Sequence, residues 1–445
     1  MTQSRGQYRH GRVEPTDFSV DGVVPKRIVF PKDVGALAET IRHAHAEGLA
    51  VGPRGGGTKT GLGNPPRRLD LVVGTRELNG LVDHQPANLT VTVQAGTPLA
   101  ALQAILAKHG QFLPLATPSP ERATVGGILA TNASGPRRLA YGTVRDWLIG
   151  LRVVHADGTV TKAGGKVVKN VTGYDMNKLY VGSLGTLGII VEATFKVTPL
   201  PVVRRTLMVH FASMEAACNA ALAIDAAGIG PLAAAVMNEE VVRRLSVEMP
   251  AVRADEALLA VELGGRPRGV ERRERELRCI LAGHGGTRAE LLGNGEAFWQ
   301  ATVDLGWEDA AGAVALRCGV ASSAIAGVVM RASHSFAAPF APVSAPAQDN
   351  ELPLRPGLIV QPGAGIVRTT FTAEDLPVAT ERVTSLRQTA VALGGYAIVE
   401  RCDPPLKAHL DVWGDAGSSM AVMRRVKEQF DPGGVLNPGR FAGGI

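Results

Sequence analysis

The chain has 445 residues, of which 45% are apolar and 20% are charged, so it is long enough for two or three domains with ordinary cores. Its mild net charge of +6 and its aromatic content of 4% exclude the basic, aromatic-rich platform of a nucleic-acid-binding protein. Its four cysteines form no C-x-x-C pair, which excludes an iron–sulfur cluster bound by this chain alone and predicts a reducing, cytoplasmic location.

The N-terminal region predicts a polar tail followed by an α+β unit. Residues 1–14 are polar and contain no secretory signal, and no apolar run in the chain reaches the roughly 18 residues of a membrane span. Ile28–Phe30 predicts a strand, and the apolar spacing from Lys32 to Glu47 predicts a helix that Gly48 ends. We therefore expect contact with a membrane only through a partner protein.

A glycine-rich loop, Pro53–Gly61, follows the short apolar run Leu49–Val51. Its residues carry little side-chain bulk, so the main-chain amides can approach a ligand and form a concave cradle for a phosphate or diphosphate. The loop is not a Walker loop, because Thr58 separates Gly57 from Lys59, and it lacks the spacing of the dinucleotide motif G-x-G-x-x-G. The sequence thus predicts an anion cradle, with a glycine-rich surface turn as the alternative.

The next segments alternate strands with further loop-like sequence. Leu69–Val73 and Leu89–Gln94 predict strands, and Thr97 predicts the N-cap of a helix. A second glycine-rich segment, Thr124–Gly135, comes after that helix. The dipeptide Asp157-Gly158 between two alternating apolar runs then predicts a β-hairpin.

Composition divides the chain into four predicted regions. The glycine-rich segments end with Gly182–Ile190, after which the sequence becomes rich in Ala, Leu and Arg, and it returns to turn-rich chemistry at Asp431–Arg440. Inside the middle region, Pro339–Gly357 predicts an exposed loop. The predicted regions are a polar tail (1–14), a domain with the glycine-rich segments (15–201), a second α+β domain (202–392) and a C-terminal segment (393–445).

Four segments together are more specific than any one of them. The stretches PRGGGTKTG, TVGGILATNASG, GGKVVKNVTGYDMNKLYVGSLGTLGII and FDPGGVLNPGRF resemble the PCMH-type FAD-binding flavoproteins, the superfamily that includes vanillyl-alcohol oxidase. Within it, they resemble the FAD-binding subunits of bacterial glycolate oxidase (glycolate dehydrogenase). The resemblance covers about residues 15–200 and 390–445. It implies an α+β fold: a PCMH-type FAD-binding domain of two subdomains, an α+β cap domain, and a C-terminal segment that returns to the FAD domain.

The resemblance also implies which residues bind FAD. The first loop would wrap the diphosphate, the second segment would line the flavin, the third would hold the adenosine end, and Asn437 would lie near the isoalloxazine ring. Thr58 stands where some relatives carry a histidine that tethers FAD, so a non-covalent attachment is expected. For Asn132, Asn437, Tyr141 and Asp146 the alternative is a turn-forming or capping role. The implied cofactor-binding residues are Pro53, Arg54, Gly55, Gly56, Gly57, Thr58, Lys59, Thr60, Gly61, Thr124, Gly126, Gly127, Ala130, Asn132, Gly135, Tyr141, Gly142, Asp146, Gly185, Gly188, Ile189, Ile190 and Asn437.

The predicted cap domain departs from the family's 2-hydroxy-acid dehydrogenases, which bind a divalent metal through histidines in H-G-D-G-N-x-H and E-H-G segments. Past residue 285 this chain has only His334 and His409, neither in such a motif, so no metal site is expected. A hydroxy acid needs a cation for its carboxylate. Arg317, Arg401 and His409, which precedes a predicted strand at Leu410–Trp413, are candidates by residue type alone. The alternative for each is an ordinary surface side chain.

Three functions remain open at this point. The first is the FAD subunit of a multi-subunit glycolate (2-hydroxy-acid) dehydrogenase, which takes part in electron transfer beside a paralogous catalytic flavin subunit and an iron–sulfur subunit. The second is a self-sufficient FAD-linked oxidoreductase for a hydroxy acid or an alcohol. The third is a scaffold that binds FAD without catalysis. Reduction of the flavin by glycolate in the isolated chain separates the second function from the other two.

Overall fold

The fold begins with a three-stranded parallel sheet and one helix. The computed structural model describes residues 14–166, 174–253, 255–307, 312–337, 356–372 and 375–445. The first elements are β1 (Arg27–Val29), α1 (Val34–Ala46), β2 (Val51–Arg54) and β3 (Leu71–Gly74). The strand order is β1-β3-β2, and the Asp33 side chain caps α1 by accepting a hydrogen bond from the Ala36 amide at 2.8 Å. The predicted first strand and helix are confirmed to within two residues at each end.

A five-stranded antiparallel sheet forms the second layer, in the order β4-β5-β9-β7-β8. Its strands and the elements beside it are β4 (Leu81–Gln85), β5 (Thr90–Gln94), α2 (Leu99–Ala107), β6 (Gln111–Phe112), α3 (Val125–Thr131), α4 (Arg138–Tyr141), α5 (Val144–Trp147), β7 (Leu148–Val154), β8 (Val160–Gly164), α6 (Asn177–Tyr180), β9 (Ile189–Lys196) and β10 (Thr198–Pro199). The pairing of β7 with β8 confirms the predicted hairpin. The N-cap predicted at Thr97 is wrong by one residue, because Pro98 has the extended ψ of 145° that precedes α2.

An eight-stranded antiparallel sheet organises the region after residue 202, in the order β14-β11-β13-β12-β16-β17-β15-β18. Its elements are β11 (Val203–Phe211), α7 (Met214–Ala226), β12 (Ala233–Asn238), α8 (Glu239–Arg244), β13 (Ala257–Gly265), α9 (Pro267–Gly283), β14 (Ala289–Leu292), α10 (Gly295–Asp304), β15 (Ala313–Gly319), α11 (Ile325–Ala337), β16 (Gly357–Gln361), β17 (Ile366–Thr372), α12 (Leu376–Ala392) and β18 (Tyr396–Arg401). Helices α7, α9, α11 and α12 bury one face of this sheet in a common core. Helices α8 and α10 pack near one end of the other face.

The C-terminal segment adds two helices, α13 (Pro404–Lys407) and α14 (Ser419–Phe430), and then returns to the first sheet. There Val51 donates a hydrogen bond to the Val435 carbonyl at 2.7 Å and accepts one from the Asn437 amide at 2.9 Å. The predicted boundary at residue 393 is too early, because β18 still belongs to the eight-stranded sheet. The strand predicted at Leu410–Trp413 is also wrong, since that segment is a bend without strand pairing.

Two further sequence predictions concern the loop at Pro339–Gly357 and membrane-spanning segments. Most of the loop predicted at Pro339–Gly357 lies outside the described residues. Among the helices that the structure describes, none combines the length and the apolar character needed to cross a bilayer.

Buried ion pairs fasten the eight-stranded sheet to the first two layers. Arg137, which follows the second glycine-rich segment, donates to both carboxylate oxygens of Glu262 in β13, at 2.8 and 2.9 Å. It also donates to both oxygens of Glu296 in α10, at 3.1 and 2.6 Å. Since the Arg137 and Glu262 side chains are only 10% and 2% exposed, that pair is desolvated, whereas the Glu296 side chain is largely exposed. The cluster therefore fixes the position of the large sheet over the glycine-rich segments.

Candidate active site

The glycine-rich segments meet around one open cavity with an empty volume of about 1040 Å³. The segment after β2, the start of α3, the segment before β9 and the C-terminal return all contribute to its wall. The predicted cofactor-binding residues that line the cavity are Pro53, Arg54, Gly55, Gly56, Gly57, Thr58, Lys59, Thr60, Thr124, Gly126, Gly127, Ala130, Gly185, Gly188, Ile189, Ile190 and Asn437. The structure thus brings four sequence segments that lie up to about 380 residues apart into one site.

Glycine is needed in the first loop because two loops touch there. A Cβ atom on Gly56 would lie 1.7 Å from the Arg122 carbonyl oxygen, and one on Gly55 would lie 2.0 Å from the Thr124 hydroxyl. Gly57 has a φ of +73°, which a residue with a side chain adopts only with strain. The Thr124 hydroxyl, held against this loop, caps α3 by accepting a hydrogen bond from the Gly127 amide at 3.3 Å. The loop and the helix start therefore form one rigid wall of the cavity.

The main chain of the first loop is suited to an anion. In the described part of the chain, no amide of residues 55–59 donates a hydrogen bond to another residue. A run of such main-chain donors binds phosphate oxygens. The donors of this loop therefore fit a diphosphate.

Six predicted cofactor residues do not line this cavity. Asp146 closes a capping box at α5 with Thr143, Asn132 ends α3 with a φ of 48°, and the ring of Tyr141 packs edge-on against Phe112. The contacts of Asp146 and Asn132 match the capping and turn-forming alternative, whereas Tyr141 packs against another aromatic ring. The other three are Gly61, whose carbonyl accepts a hydrogen bond from Lys407, Gly142, which packs against the Asp146 carboxylate, and Gly135, which lines a neighbouring cavity.

Sequence reasoning missed several residues of the cavity wall. Thr75 and Thr117 contribute single hydroxyl-bearing side chains from segments without any motif, so no pattern could have identified them. Arg440 lies in the C-terminal segment Asp431–Arg440, but the sequence does not show that its side chain is buried and donates a hydrogen bond to Asp21. Its guanidinium also donates to the carbonyls of Thr60 and Leu62, at 2.6 and 2.5 Å. Arg440 therefore holds the far end of the first loop.

A second cavity, with an empty volume of about 560 Å³, lies between the second glycine-rich segment and the eight-stranded sheet. The sheet side is formed by alternate strand residues, because neighbours such as Leu316 and Val399 point into the core on the opposite face. Lys59 lines both cavities, so the two adjoin. The sheet residues of this second cavity are Ala235, Arg317, Ile359, Gln361, Ile366, Arg368 and Glu400.

The second cavity is strongly cationic. Lys59, Arg138, Arg317 and Arg368 line it, against one carboxylate, that of Glu400. The Nε atoms of Arg317 and Arg368 lie 2.9 and 3.5 Å from the two oxygens of that carboxylate. Burial raises the pKa of Glu400, but the charges of Arg317 and Arg368 outweigh it and hold that pKa below its ordinary value. One carboxylate cannot neutralise four cations, so the cavity is suited to an anionic ligand.

Lys59 differs from the arginines in its acid–base behaviour. Its Nζ lies 4.3 Å from the centroid of the Trp307 ring, a cation–π distance. Burial lowers the pKa of Lys59 to about 8; Glu400 opposes this shift, while Arg368 and Arg317 add to it. The side chain can therefore hold or release a proton near neutral pH.

The three candidates for catalysis have different surroundings. Arg317 faces the second cavity. Arg401 follows Glu400 on β18 and is absent from the lining of that cavity. His409 lines a separate open groove beside α12, together with Arg331. Among the described residues, no three His, Cys, Asp or Glu side chains form a group that could hold a metal ion.

Two family models match the chain. One, described as an FAD binding domain, matches residues 25–164, and the other, described as the C-terminal domain of FAD linked oxidases, matches residues 200–324 and 415–441. Together they span the segments Pro53–Gly61, Thr124–Gly135 and Asp431–Arg440 and the first five strands of the eight-stranded sheet in chain order, β11 to β15. These matches identify FAD as the cofactor.

Curated relatives match a part of the chain. Glycolate oxidase subunit GlcE of Escherichia coli is 40% identical over 167 residues, which cover 37% of this chain and 47% of that protein. Glycolate oxidase subunit GlcD of Bacillus subtilis is 35% identical over 208 residues, covering 47% of this chain and 44% of that protein. D-2-hydroxyglutarate dehydrogenase of Xanthomonas citri is 36% identical over 191 residues, covering 43% of this chain and 40% of that protein. The chain thus matches less than half of the length of each of these relatives.

Solved structures share the whole architecture at low sequence identity. An alkyldihydroxyacetonephosphate synthase superposes with a TM-score of 0.69 at 20% identity, covering 93% of this chain and 77% of that one. A p-cresol methylhydroxylase superposes with a TM-score of 0.68 at 15% identity, covering 93% and 88%. The likeness establishes the fold: an α+β FAD-binding region followed by a second α+β domain.

Proposed function

Because the chain belongs to the PCMH-type FAD flavoproteins, we propose that it is an FAD-dependent oxidoreductase that oxidises a 2-hydroxy acid such as glycolate. The observation that carries the proposal is the cationic second cavity beside the glycine-lined one. Two relatives are named after glycolate and D-2-hydroxyglutarate, and these names support the same substrate class.

The arginines of the second cavity would bind the substrate carboxylate. Arginine recognises a carboxylate through two parallel hydrogen bonds, which fixes orientation as well as charge. Arg317 and Arg368 already share the Glu400 carboxylate, and Arg138 adds a cation from the opposite wall. A carboxylate held among these groups would direct the hydroxyl-bearing carbon toward the adjoining cavity, where Lys59 stands.

The glycine-lined cavity would hold FAD. The unpartnered amides of residues 55–59 would bind the diphosphate, with Thr124 and Asn437 contributing to the wall around the flavin. FAD supplies the two-electron acceptor for the hydride of the substrate carbon. Thr58 offers no imidazole for a covalent link, so we expect acid precipitation to release all of the FAD into the supernatant.

We further propose that the chain works as one flavin subunit of a glycolate-oxidase-type complex and takes part in electron transfer within it. The support is its likeness to two proteins that are both named glycolate oxidase subunits. The partners would be a paralogous flavin subunit and an iron–sulfur subunit, since this chain has only four dispersed cysteines. Any membrane contact would pass through these partners, and co-purification from the native source tests for them.

The deciding experiment is an absorbance spectrum of the isolated chain before and after anaerobic addition of glycolate, D-lactate or D-2-hydroxyglutarate. Bleaching of the visible flavin band by one of these acids is the expected result. The Arg317→Met variant should retain FAD and bleach only at much higher substrate concentration. Arg401→Met, on the same strand as Glu400 but absent from the cavity wall, is the matched control.

The other two functions make different predictions in the same experiment. If the flavin stays oxidised in the isolated chain but is reduced in the complex, the oxidation takes place in a partner and this chain is an electron-transfer subunit. If the flavin stays oxidised in both, the chain is a scaffold. Either result contradicts the assignment of the second cavity as the substrate site.

A further inference from the structure

We propose that Lys59 is the base of the reaction: its neutral amine takes the hydroxyl proton of the substrate as the carbon-bound hydrogen leaves as hydride. The inference rests on the proposed function. It assigns the proton-accepting role to a residue of the cofactor loop, since no histidine lines the second cavity among the described residues.

The position of Lys59 supports this role. The main chain of Lys59 belongs to the glycine-rich loop, where its carbonyl accepts a hydrogen bond from the Leu62 amide at 3.1 Å. Its side chain leaves that loop and places Nζ over Trp307 in the second cavity, at 4.3 Å from the ring centroid. Among the charged side chains of the described structure, Lys59 alone lines both cavities. A base must touch the substrate beside the flavin, and this is the place where the two cavities adjoin.

Among the described titratable residues that line the second cavity, Lys59 is the one suited to accept the proton. Arg138, Arg317 and Arg368 carry guanidinium groups, which donate hydrogen bonds and have no acceptor for a proton. Glu400 is held as a carboxylate by two arginines, which makes it a weak base. The charged groups that face Lys59 are Glu400, Arg368 and Arg317, and burial brings the pKa of Lys59 itself to about 8. A base with a pKa near the working pH combines a large free fraction with adequate strength.

Gln361 indicates that the second cavity binds a ligand with a hydrogen-bond donor. Gln361 lines the same cavity and is 8% exposed, yet its Oε1 accepts no hydrogen bond from any described residue. A buried acceptor without a donor is costly, and a bound molecule with an O–H group would satisfy it. The cavity thus offers cations for a carboxylate and an acceptor for a hydroxyl, together with the Lys59 amine.

The proposed step balances. The C–H bond of the hydroxyl-bearing carbon would break with its electron pair, and bound FAD would supply the two-electron acceptor for that hydride. The O–H proton passes to the Lys59 amine, which becomes an ammonium, and the C–O bond becomes a carbonyl. Glycolate would give glyoxylate. Lys59 then returns its proton to solvent before the next cycle.

The test combines three variants with a readout independent of turnover. Competitive acetylation of the lysines, followed by peptide mass spectrometry between pH 6 and 11, gives the titration midpoint of Lys59 directly; we expect about 8. In stopped-flow reduction, the wild-type rate should rise about tenfold per pH unit below that midpoint and level off above it. Lys59→Met and Lys59→Arg should retain FAD but reduce it about 10²- to 10⁴-fold more slowly, without the pH-dependent rise. Methylamine should restore the rate of Lys59→Ala, and exposed Lys108→Met is the control.

The outcomes separate this inference from the proposed function. If no hydroxy acid reduces the wild-type flavin, both are wrong. If wild type is reduced and Lys59→Arg keeps its rate and pH profile, only the assignment of Lys59 as the base is overturned. The same holds if Lys59→Met and Lys59→Arg are purified without FAD, because Lys59 would then belong to the cofactor cradle.

Discussion

The ion-pair cluster between the two halves of the protein gives the sharpest prediction on stability. In Arg137→Met the apolar replacement removes all four hydrogen bonds that the guanidinium makes to Glu262 and Glu296. Glu296 is 64% exposed and keeps Arg204 at 2.7 Å, so water and that arginine compensate it. Glu262 is 1% exposed as a residue and is left as a buried carboxylate without its partner.

The magnitude follows from the buried partner. Removing one member of a buried ion pair costs about 3–5 kcal/mol, because the remaining charge stays desolvated. At about 2–4 °C per kcal/mol for a domain of this size, the first unfolding transition should fall by roughly 6–20 °C. The loss also loosens the segment next to Gly135 and Pro136, which line the second cavity, so substrate binding should weaken in the same variant.

Differential scanning calorimetry of a double-mutant cycle tests this reasoning. Arg137→Met with Glu262→Met replaces both charges by apolar groups of similar length and should regain most of the lost stability. Arg204→Met is the matched control: it breaks one partly exposed contact and should cost under about 1 kcal/mol. A loss below 1 kcal/mol in Arg137→Met, or no recovery in the double variant, would refute the picture of a desolvated pair.

Three further predictions address the cofactor loop and the substrate cavity. Gly56→Ala places a methyl group 1.7 Å from the Arg122 carbonyl oxygen, so the loop must move and the protein should be purified with little FAD. The ratio of the visible flavin absorbance to the protein absorbance measures this loss. Lys407→Met removes a buried ammonium that donates to Asp21 and to the Gly61 and Gly63 carbonyls, and should cost about 2–3 kcal/mol in urea denaturation and weaken FAD binding. Arg317→Met should raise the KM for the hydroxy acid about 10- to 100-fold while the FAD content stays unchanged, since a charged hydrogen bond contributes about 1.5–3 kcal/mol. An unchanged KM would remove Arg317 from the substrate site.

Local sequence patterns predicted the elements that are determined by local interactions. The hairpin of β7 and β8 follows from its Asp-Gly turn, and α1 follows from its apolar spacing and terminal glycine. The boundary near residue 393 was misplaced for a non-local reason. β18 is separated by about 80 residues from β15, its partner in the large sheet, and no feature of its own sequence records that pairing.

The cofactor cavity was predictable for a related reason. Glycine excludes few conformations, so its presence at Gly55, Gly56 and Gly57 reports close main-chain contacts that the structure places against Arg122 and Thr124. Polar residues report less. Asp146 caps a short helix and Tyr141 packs against other aromatic rings, and both roles use the same side chains that a cofactor would. A motif can therefore identify a loop without identifying which of its polar neighbours face the ligand.

The lining of the second cavity could not be predicted from the sequence. Its sheet wall is drawn from β12, β15, β16, β17 and β18, one or two residues from each, so no contiguous segment carries its chemistry. The alternation of strands puts Arg317, Arg368 and Glu400 on one face only after the register is known. Lys59 connects this wall to the FAD loop, and its usefulness as a base depends on those same neighbours. Burial lowers its pKa most, Glu400 limits that shift, and the positive charges of Arg368 and Arg317 add to it. Neutralising either Arg317 or Arg368 should therefore raise the titration midpoint of Lys59, and the pH profile of flavin reduction should move to higher pH with it. A profile that does not move in either variant would mean that Lys59 is not the group that titrates.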